Sequence, residues 1–268
     1  MSEWSQWTET ALKVTGHFED ADDPLGGVTG DFDDMGISLG VLQWNIGMGS
    51  LQPMVRSIGR AAVTAAMPAY GAEMWAACGA SVMEGLRIVR GWQPGGHLRP
   101  PVAAELKHLA LCAPFVAQQI ANADKVAERA YGAAAEWASA RDGGKPDKRQ
   151  FCWFFDVLTQ NGGMKGITLE DVDGFTRRLG ADRTDDVICD WLAARGQDDA
   201  GFRDSRRNAA LWRDKVPDER LPLFVASYLR AMKSRTQYRG DVLNRKATLA
   251  IGAGWVHGEQ HALDQRLN

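Results

Sequence analysis

Four cysteines among 268 residues leave little room for a disulfide-built fold. Cys78, Cys112, Cys152 and Cys189 are far apart and show no C-x-x-C spacing. Most sit in apolar helical surroundings, such as Trp75-Ala76-Ala77-Cys78 and Leu109-Ala110-Leu111-Cys112. They read as buried free thiols, with two disulfides left open for an oxidising compartment. No apolar run reaches the roughly 18 residues that span a bilayer, so no membrane segment is expected. Neither charge sign dominates: 31 basic and 34 acidic residues leave −3, which gives no electrostatic case for nucleic acid or an anionic membrane surface. Five histidines form no H-E-x-x-H and pair with no cysteine, so no metal site is assigned. Met1-Ser2-Glu3-Trp4 opens without the basic region and apolar run of a secretory signal. Repeats and low-complexity tracts are also lacking.

What is present is an ordinary globular composition, 45% hydrophobic and 24% charged, long enough for one large domain or two lobes sharing a cleft. The pattern is almost entirely helical. A first helix is expected from Trp4 to Thr15, ended by Gly16. Residues 20–36 read as a loop, with Pro24, four glycines and six aspartates. A short strand is expected around 37–43. Helices are then expected at roughly 50–65, 70–91, 101–111, 114–140, 148–160, 168–179, 184–195, 200–211, 217–234 and 239–252. Pro53 sits early in its helix, where proline is tolerated. Gly143-Gly144-Lys145-Pro146 breaks the pattern and suggests a lobe connection near 141–147 within a single domain, 1–268.

The most informative stretch begins at Gly16-His17-Phe18-Glu19 and continues through Gly30-Asp31-Phe32-Asp33-Asp34-Met35-Gly36-Ile37-Ser38-Leu39-Gly40-Val41-Leu42-Gln43-Trp44-Asn45. A lone Glu follows an apolar helix, and a Gly-rich acidic loop follows the Glu. This layout suits a carbohydrate-cleaving site built from two carboxylates, one holding a proton near neutral pH and one ionised. Desolvation beside Phe18 and near Trp44, if the fold places them so, would raise the pKa of a carboxyl at Glu19, and the negative end of a helix dipole would push the same way. The bland alternatives stay open. Glu19 is otherwise a solvated residue, and Asp31, Asp33 and Asp34 are otherwise turn caps.

The stretch resembles the catalytic region of the lysozyme-like superfamily, closest to chitosanases and to bacterial peptidoglycan-cleaving domains. The close match covers roughly residues 15–56. Residue by residue, the resemblance implies Glu19 as general acid, Asp33 as the base serving an attacking water, and the Ser38 hydroxyl holding that water in place of a Thr. Where the chitosanase pattern carries an Asp after its next Gly-x-Gly, this chain has Gly47-Met48-Gly49-Ser50, which counts against a polycationic substrate. Phe155-Asp156 with Gln160-Asn161-Gly162-Gly163, and Arg245-Lys246 with Gly252 and Val256-His257-Gly258, also resemble the peptidoglycan-cleaving group. The implied fold is mainly α, lysozyme-like and two-lobed, with a small β-hairpin or sheet beside the cleft.

Gln43, Trp44, Asn45, Gln160 and Asn161 are candidate substrate contacts. Amides bond sugar hydroxyls and N-acetyl groups, and an indole offers an apolar platform to a sugar face. Against this, Trp44 reads equally as core, and Asn161 as a residue closing a helix before Gly162-Gly163. Asp31 to Gly36 has Asp at the first and third places and Gly at the sixth of a calcium loop. Met35 and Leu42 fail its fifth and twelfth places. Ser38 is not read as the nucleophile of an elbow. His257 and His261 are four apart and share a face if helical.

The expected activity is hydrolysis of β-1,4 bonds in the peptidoglycan glycan strand, without a cofactor. The expected place of action is the periplasm or cell wall of a target or host cell. Lacking a signal, the enzyme would be delivered by phage holins, a secretion machine or lysis of the producer. Its partners would be the glycan strands and, for an antibacterial effector, an immunity protein or a secretion or phage carrier. The rivals are a chitosanase, a lytic transglycosylase and a non-catalytic wall-binding component of a phage or secretion device.

Overall fold

The computed structural model describes residues 3–18, 24–31 and 34–268. The chain is mainly helical and packs as two compact units, Met1–Val14 with Val126–Asn268 and Thr15–Lys125. Helix α1, Glu3–His17, runs one turn-position past the expected stop, because Gly16 stays helical.

The smaller unit holds a three-stranded antiparallel sheet in the order β1 (Val28–Thr29), β2 (Ser38–Leu39), β3 (Trp44–Asn45). Thr29 pairs with Ser38, and Ser38 pairs with Asn45 on its other side. The single strand expected over 37–43 is therefore two short strands. Gly40 (φ 75°) and Gln43 (φ 53°) turn the chain between them, and the Gln43 amide donates to the Gly40 carbonyl at 3.0 Å. Helices α2 (Leu51–Ile58), α3 (Arg60–Ala66), α4 (Gly71–Gly79), α5 (Val82–Arg90) and α6 (Pro100–Leu111) follow. The helix expected over 50–65 breaks at Gly59, whose φ of 84° leaves the helical region. The helix expected over 70–91 breaks before Ser81, whose side chain accepts the Glu84 amide and caps α5. The core joins Ile37, Leu39 and Ile46 around the sheet to Leu51, Val55, Met74, Val89, Trp92, Leu106 and Phe115.

Helix α7 (Ala113–Asp142) begins in the smaller unit and ends in the larger. The break at 143–146 joins α7 to α8 (Lys148–Asn161) inside the larger unit, so the connection expected near 141–147 lies past the change of unit at 125/126. A capping box of Asp147 and Gln150 opens α8, and left-handed Gly162 closes it. Thr168 and Asp171 form another box at α9 (Leu169–Leu179). Then come α10 (Ala181–Ala193), α11 (Phe202–Trp212), α12 (Leu221–Met232) and α13 (Arg239–Ile251). Every residue from Leu243 to Ile251 is buried, so α13 is the central helix of this unit. On α1, Trp7 packs on Tyr131 and Phe151, with ring centroids 6.1 and 5.7 Å away.

A hairpin absent from the sequence expectations follows: β4 (Ala253–Val256) pairs with β5 (Glu259–Ala262). Its two-residue turn, His257-Gly258, has positive φ at both places (53° and 89°), as the favoured hairpin turn requires. His257 and His261 thus share no helical face. Gly252 (φ 96°) ends α13 where a Cβ would stand 2.0 Å from Asp264 Oδ1, at the start of α14 (Asp264–Leu267). Among the described residues, no helix is long and apolar enough to cross a membrane. All four cysteines are free thiols; Cys78, Cys152 and Cys189 are buried and Cys112 is half-buried.

Candidate functional site

Glu19 and Asp33, the two carboxylates expected to do chemistry, lie outside the described residues. Residues 31 and 34–36, on either side of Asp33 in the sequence, are described, and side chains of Arg90 and Gln93 hold them. On α5 the guanidinium of Arg90 donates to Asp31 Oδ2 at 2.6 Å and to the Asp34 carbonyl at 3.2 Å. Asp31 Oδ1 accepts the Gly36 amide at 2.7 Å. Buried Gln93 accepts the Asp31 amide at 2.8 Å and donates to the Gly36 carbonyl at 2.8 Å. The backbone is thus tied at residues 31 and 36, on either side of Asp33 in the sequence. Asp31 is a structural carboxylate, as the turn-cap reading of it holds. With both oxygens engaged by Arg90 and an amide, it makes a poor first ligand for calcium.

Ser38 is buried at the centre of the three-stranded sheet. Gly36-Ile37-Ser38-Leu39-Gly40 does spell the G-x-S-x-G letters of a nucleophile elbow. The letters are not enough, because an elbow needs a strand that turns sharply into a helix. Here Ser38 lies within β2, and the chain turns through Gly40–Gln43 into another strand.

Trp44 and Asn45 form the strand beside β2, with Gln43 in the turn before it, but the two amides have structural partners. Gln43 accepts the Thr29 hydroxyl at 2.7 Å and donates to the Gly40 carbonyl at 3.0 Å. Asn45 accepts the Met48 amide at 2.8 Å and donates to the Gln43 carbonyl at 3.3 Å. Trp44 is half-buried and packs against the core, so part of its ring stays accessible. The hydroxyl of Ser50 accepts the Asn45 amide at 2.9 Å.

One further residue fixes this hairpin. Gln119 on α7 is fully buried. It accepts the Val41 amide at 3.1 Å and donates to the carbonyls of Leu25 and Ala110 at 3.0 and 2.8 Å. A Cβ on Gly40 would stand 2.2 Å from its Oε1, so glycine at 40 admits this amide. Neither Gln93 nor Gln119 carries any sequence signal, since a lone Gln in a loop or on a helix looks like surface.

Gln160 and Asn161 belong to the other unit. Gln160 is exposed at the end of α8. The Asn161 carbonyl accepts Arg230 at 2.6 Å, and Arg230 also donates to the Gly163 carbonyl at 2.8 Å. Gly162, not the Asn161 side chain, closes the helix; its amide donates to the Val157 carbonyl.

The larger unit also contains a buried charge cluster. Asp156 on α8 meets Arg245 and Lys246 on α13. Both the Nε and Nη2 atoms of Arg245 lie 2.9 Å from Asp156 Oδ1, and Lys246 Nζ pairs with Oδ2. Burial pushes the Asp156 carboxyl up, but the two cations outweigh it and hold it below the usual carboxylate range. Burial draws Lys246 down to about 8 against the pull of Asp156. The sequence hinted at this cluster through an Asp among aromatics and an Arg-Lys pair in an apolar helix. With no open face, it joins helices and is not built to meet substrate.

No protein-family model, curated protein or solved structure matches this chain.

Proposed function

We propose that the chain is a lysozyme-like glycoside hydrolase that cleaves β-1,4 bonds of the peptidoglycan glycan strand. The observation that carries this reading is the union of one motif with one local architecture. The run from Gly30 to Asn45 follows β1 and carries the acidic segment and the β2–β3 hairpin of the small antiparallel sheet, with Ser38 in its central strand. In this reading Glu19 protonates the leaving oxygen, and Asp33 activates a water held by Ser38. The tethers at Asp31 and Gly36 fix the backbone on either side of Asp33 in the sequence. Trp44 offers a sugar platform with its accessible edge. Delivery to a target cell wall as an antibacterial or phage-type enzyme fits this substrate, and an effector of that kind would have an immunity partner in its producer.

Ser50 favours peptidoglycan over chitosan. The chitosanase-type carboxylate at this place would face a polyamine, but here a hydroxyl closes the turn onto Asn45. The test is turbidity loss and fragment mass spectrometry on purified peptidoglycan, comparing the parent with Glu19→Gln and Asp33→Asn. Reducing-end muropeptides, lost in both variants, are the expected result. Anhydro-ended fragments that survive Asp33→Asn would make it a lytic transglycosylase. An inert parent would leave a binding role.

A further inference from the structure

In the larger unit, an open cavity of about 690 Å³ lies where the starts of α11 and α13 meet the tip of the β4–β5 hairpin. His257 and Gly258, from the Val256-His257-Gly258 run noted in the sequence, line it, whereas none of the catalytic or substrate-contact candidates does. Its wall is built deliberately close. Gly201, at φ 72°, brings α11 to Asp241, where a Cβ would stand 3.2 Å from Asp241 Oδ1. Buried Asp204 accepts the Gly258 amide at 2.8 Å and so holds the hairpin tip in place. Arg207 lies 3.4 Å from Asp204 and stacks over the Trp255 ring at 4.2 Å, which fixes its guanidinium plane. His257 Nε2 stands 3.4 Å from Asp241 Oδ1 at the opening, beside exposed Tyr238.

The charges decide what fits. Two arginines, Arg203 and Arg207, are balanced by Asp204 and Asp241. An anion would meet both carboxylates, including those that already occupy the first turns of α11 and α13. A cation would meet both guanidinium groups. A neutral ligand rich in hydroxyls suits this lining. Planar Asp241, His257 and Arg207 donate to and accept from adjacent hydroxyls, and the Tyr238 ring covers an apolar sugar face.

We propose that this cavity is a saccharide-binding subsite that takes a neutral sugar unit of a glycan strand. That the strand is peptidoglycan rests on the function proposed above; the saccharide chemistry of the cavity does not.

The test is isothermal titration of the full chain with the N-acetylglucosamine tetramer, carried out on Glu19→Gln to prevent turnover. Tyr238→Ala and His257→Asn are each added to that background. Asn tolerates the positive φ of the turn, so the second variant keeps the hairpin. The expected result is binding by the parent and a loss of about tenfold or more in each variant, as when a principal contact is removed. Melting temperature should be unchanged in both, since both side chains are exposed. A parent that binds no tetramer overturns the proposal. So do variants that bind as the parent does. If one variant melts early, the other decides. A chain that binds the tetramer through Tyr238 yet cleaves no peptidoglycan keeps this subsite and loses the hydrolase reading.

Discussion

In the larger unit, α8 and α13 are joined by one buried carboxylate and two buried cations. In the smaller unit, the sheet and its acidic loop are joined to their helices mainly by the neutral amides of Gln93 and Gln119. Both arrangements satisfy buried polar groups, but they respond differently to conditions. An ion cluster is strong when complete, costly when broken and sensitive to protons. A glutamine bonds two backbone segments at any pH and adds no charge near a titrating group. Arg90 adds a charged tether, its half-exposed guanidinium on the mostly buried carboxylate of Asp31.

Removing Asp156 should break this contrast most severely. Asp156→Ala leaves two cations buried without their partner and is expected to cost about 3–5 kcal/mol in guanidinium denaturation at pH 7. Replacing Asp156, Arg245 and Lys246 together by Leu, Met and Met should restore most of that loss. The deficit should also depend on pH. The folded carboxyl is held below its unfolded value of about 4, so its stabilisation is complete above that pH. It is lost as acid protonates the folded group, so the deficit of Asp156→Ala should shrink below pH 4.

Gln119→Ala provides the neutral counterpart. It leaves the Val41 amide and two carbonyls short of partners and should cost about 2 kcal/mol. That loss should be the same at pH 4 and pH 8, and a loss that varied with pH would erase the distinction. Gln93→Ala should cost about 1–2 kcal/mol by the same argument. It should also lower peptidoglycan turnover by more than its stability loss explains, with melting and kinetics measured on one preparation.

The smallest effect is silent at neutral pH. Burial raises the thiols of Cys78, Cys152 and Cys189 to about 12. Unfolded thiols ionise near about 8.5, so stability should fall with rising pH from there up to about 12. Lys246 opposes this between about 8 and its unfolded value near 10.5, since there the folded chain has lost a proton that the unfolded chain keeps. Cys152→Ala should flatten the alkaline fall in denaturation midpoints, and an unchanged slope would contradict this account.

The helices were legible in the sequence wherever a stripe of apolar residues met a clear stop. Asp147 before α8, Thr168 before α9 and Gly162 after α8 are local signals with local causes. The breaks at Gly59 and Ser81 were overridden by long helical periodicity, although each residue is itself a stop or start signal. The β4–β5 hairpin was missed because His-Gly is a less common turn pair than Asn-Gly, and a helix pattern runs directly into it. At the candidate site, the motif singled out Ser38 and Trp44, which share a sheet. It said nothing of Gln93 or Gln119, whose farthest partners lie 62 and 94 residues away in sequence. Such long-range pairings leave no periodic trace.

The order of synthesis gives the central position of α13 a temporal meaning. The smaller unit is one continuous stretch, Thr15–Lys125, and has all of its residues early. Asp156 must wait for cations 89 and 90 residues further on. At ribosomal rates of about 5–20 residues per second, that is a delay of about 5–20 s. Throughout it, the aromatic face of α8 stands without its central partner helix. The nascent chain therefore passes through a long interval in which the smaller unit is finished and the larger presents a hydrophobic surface in need of shelter.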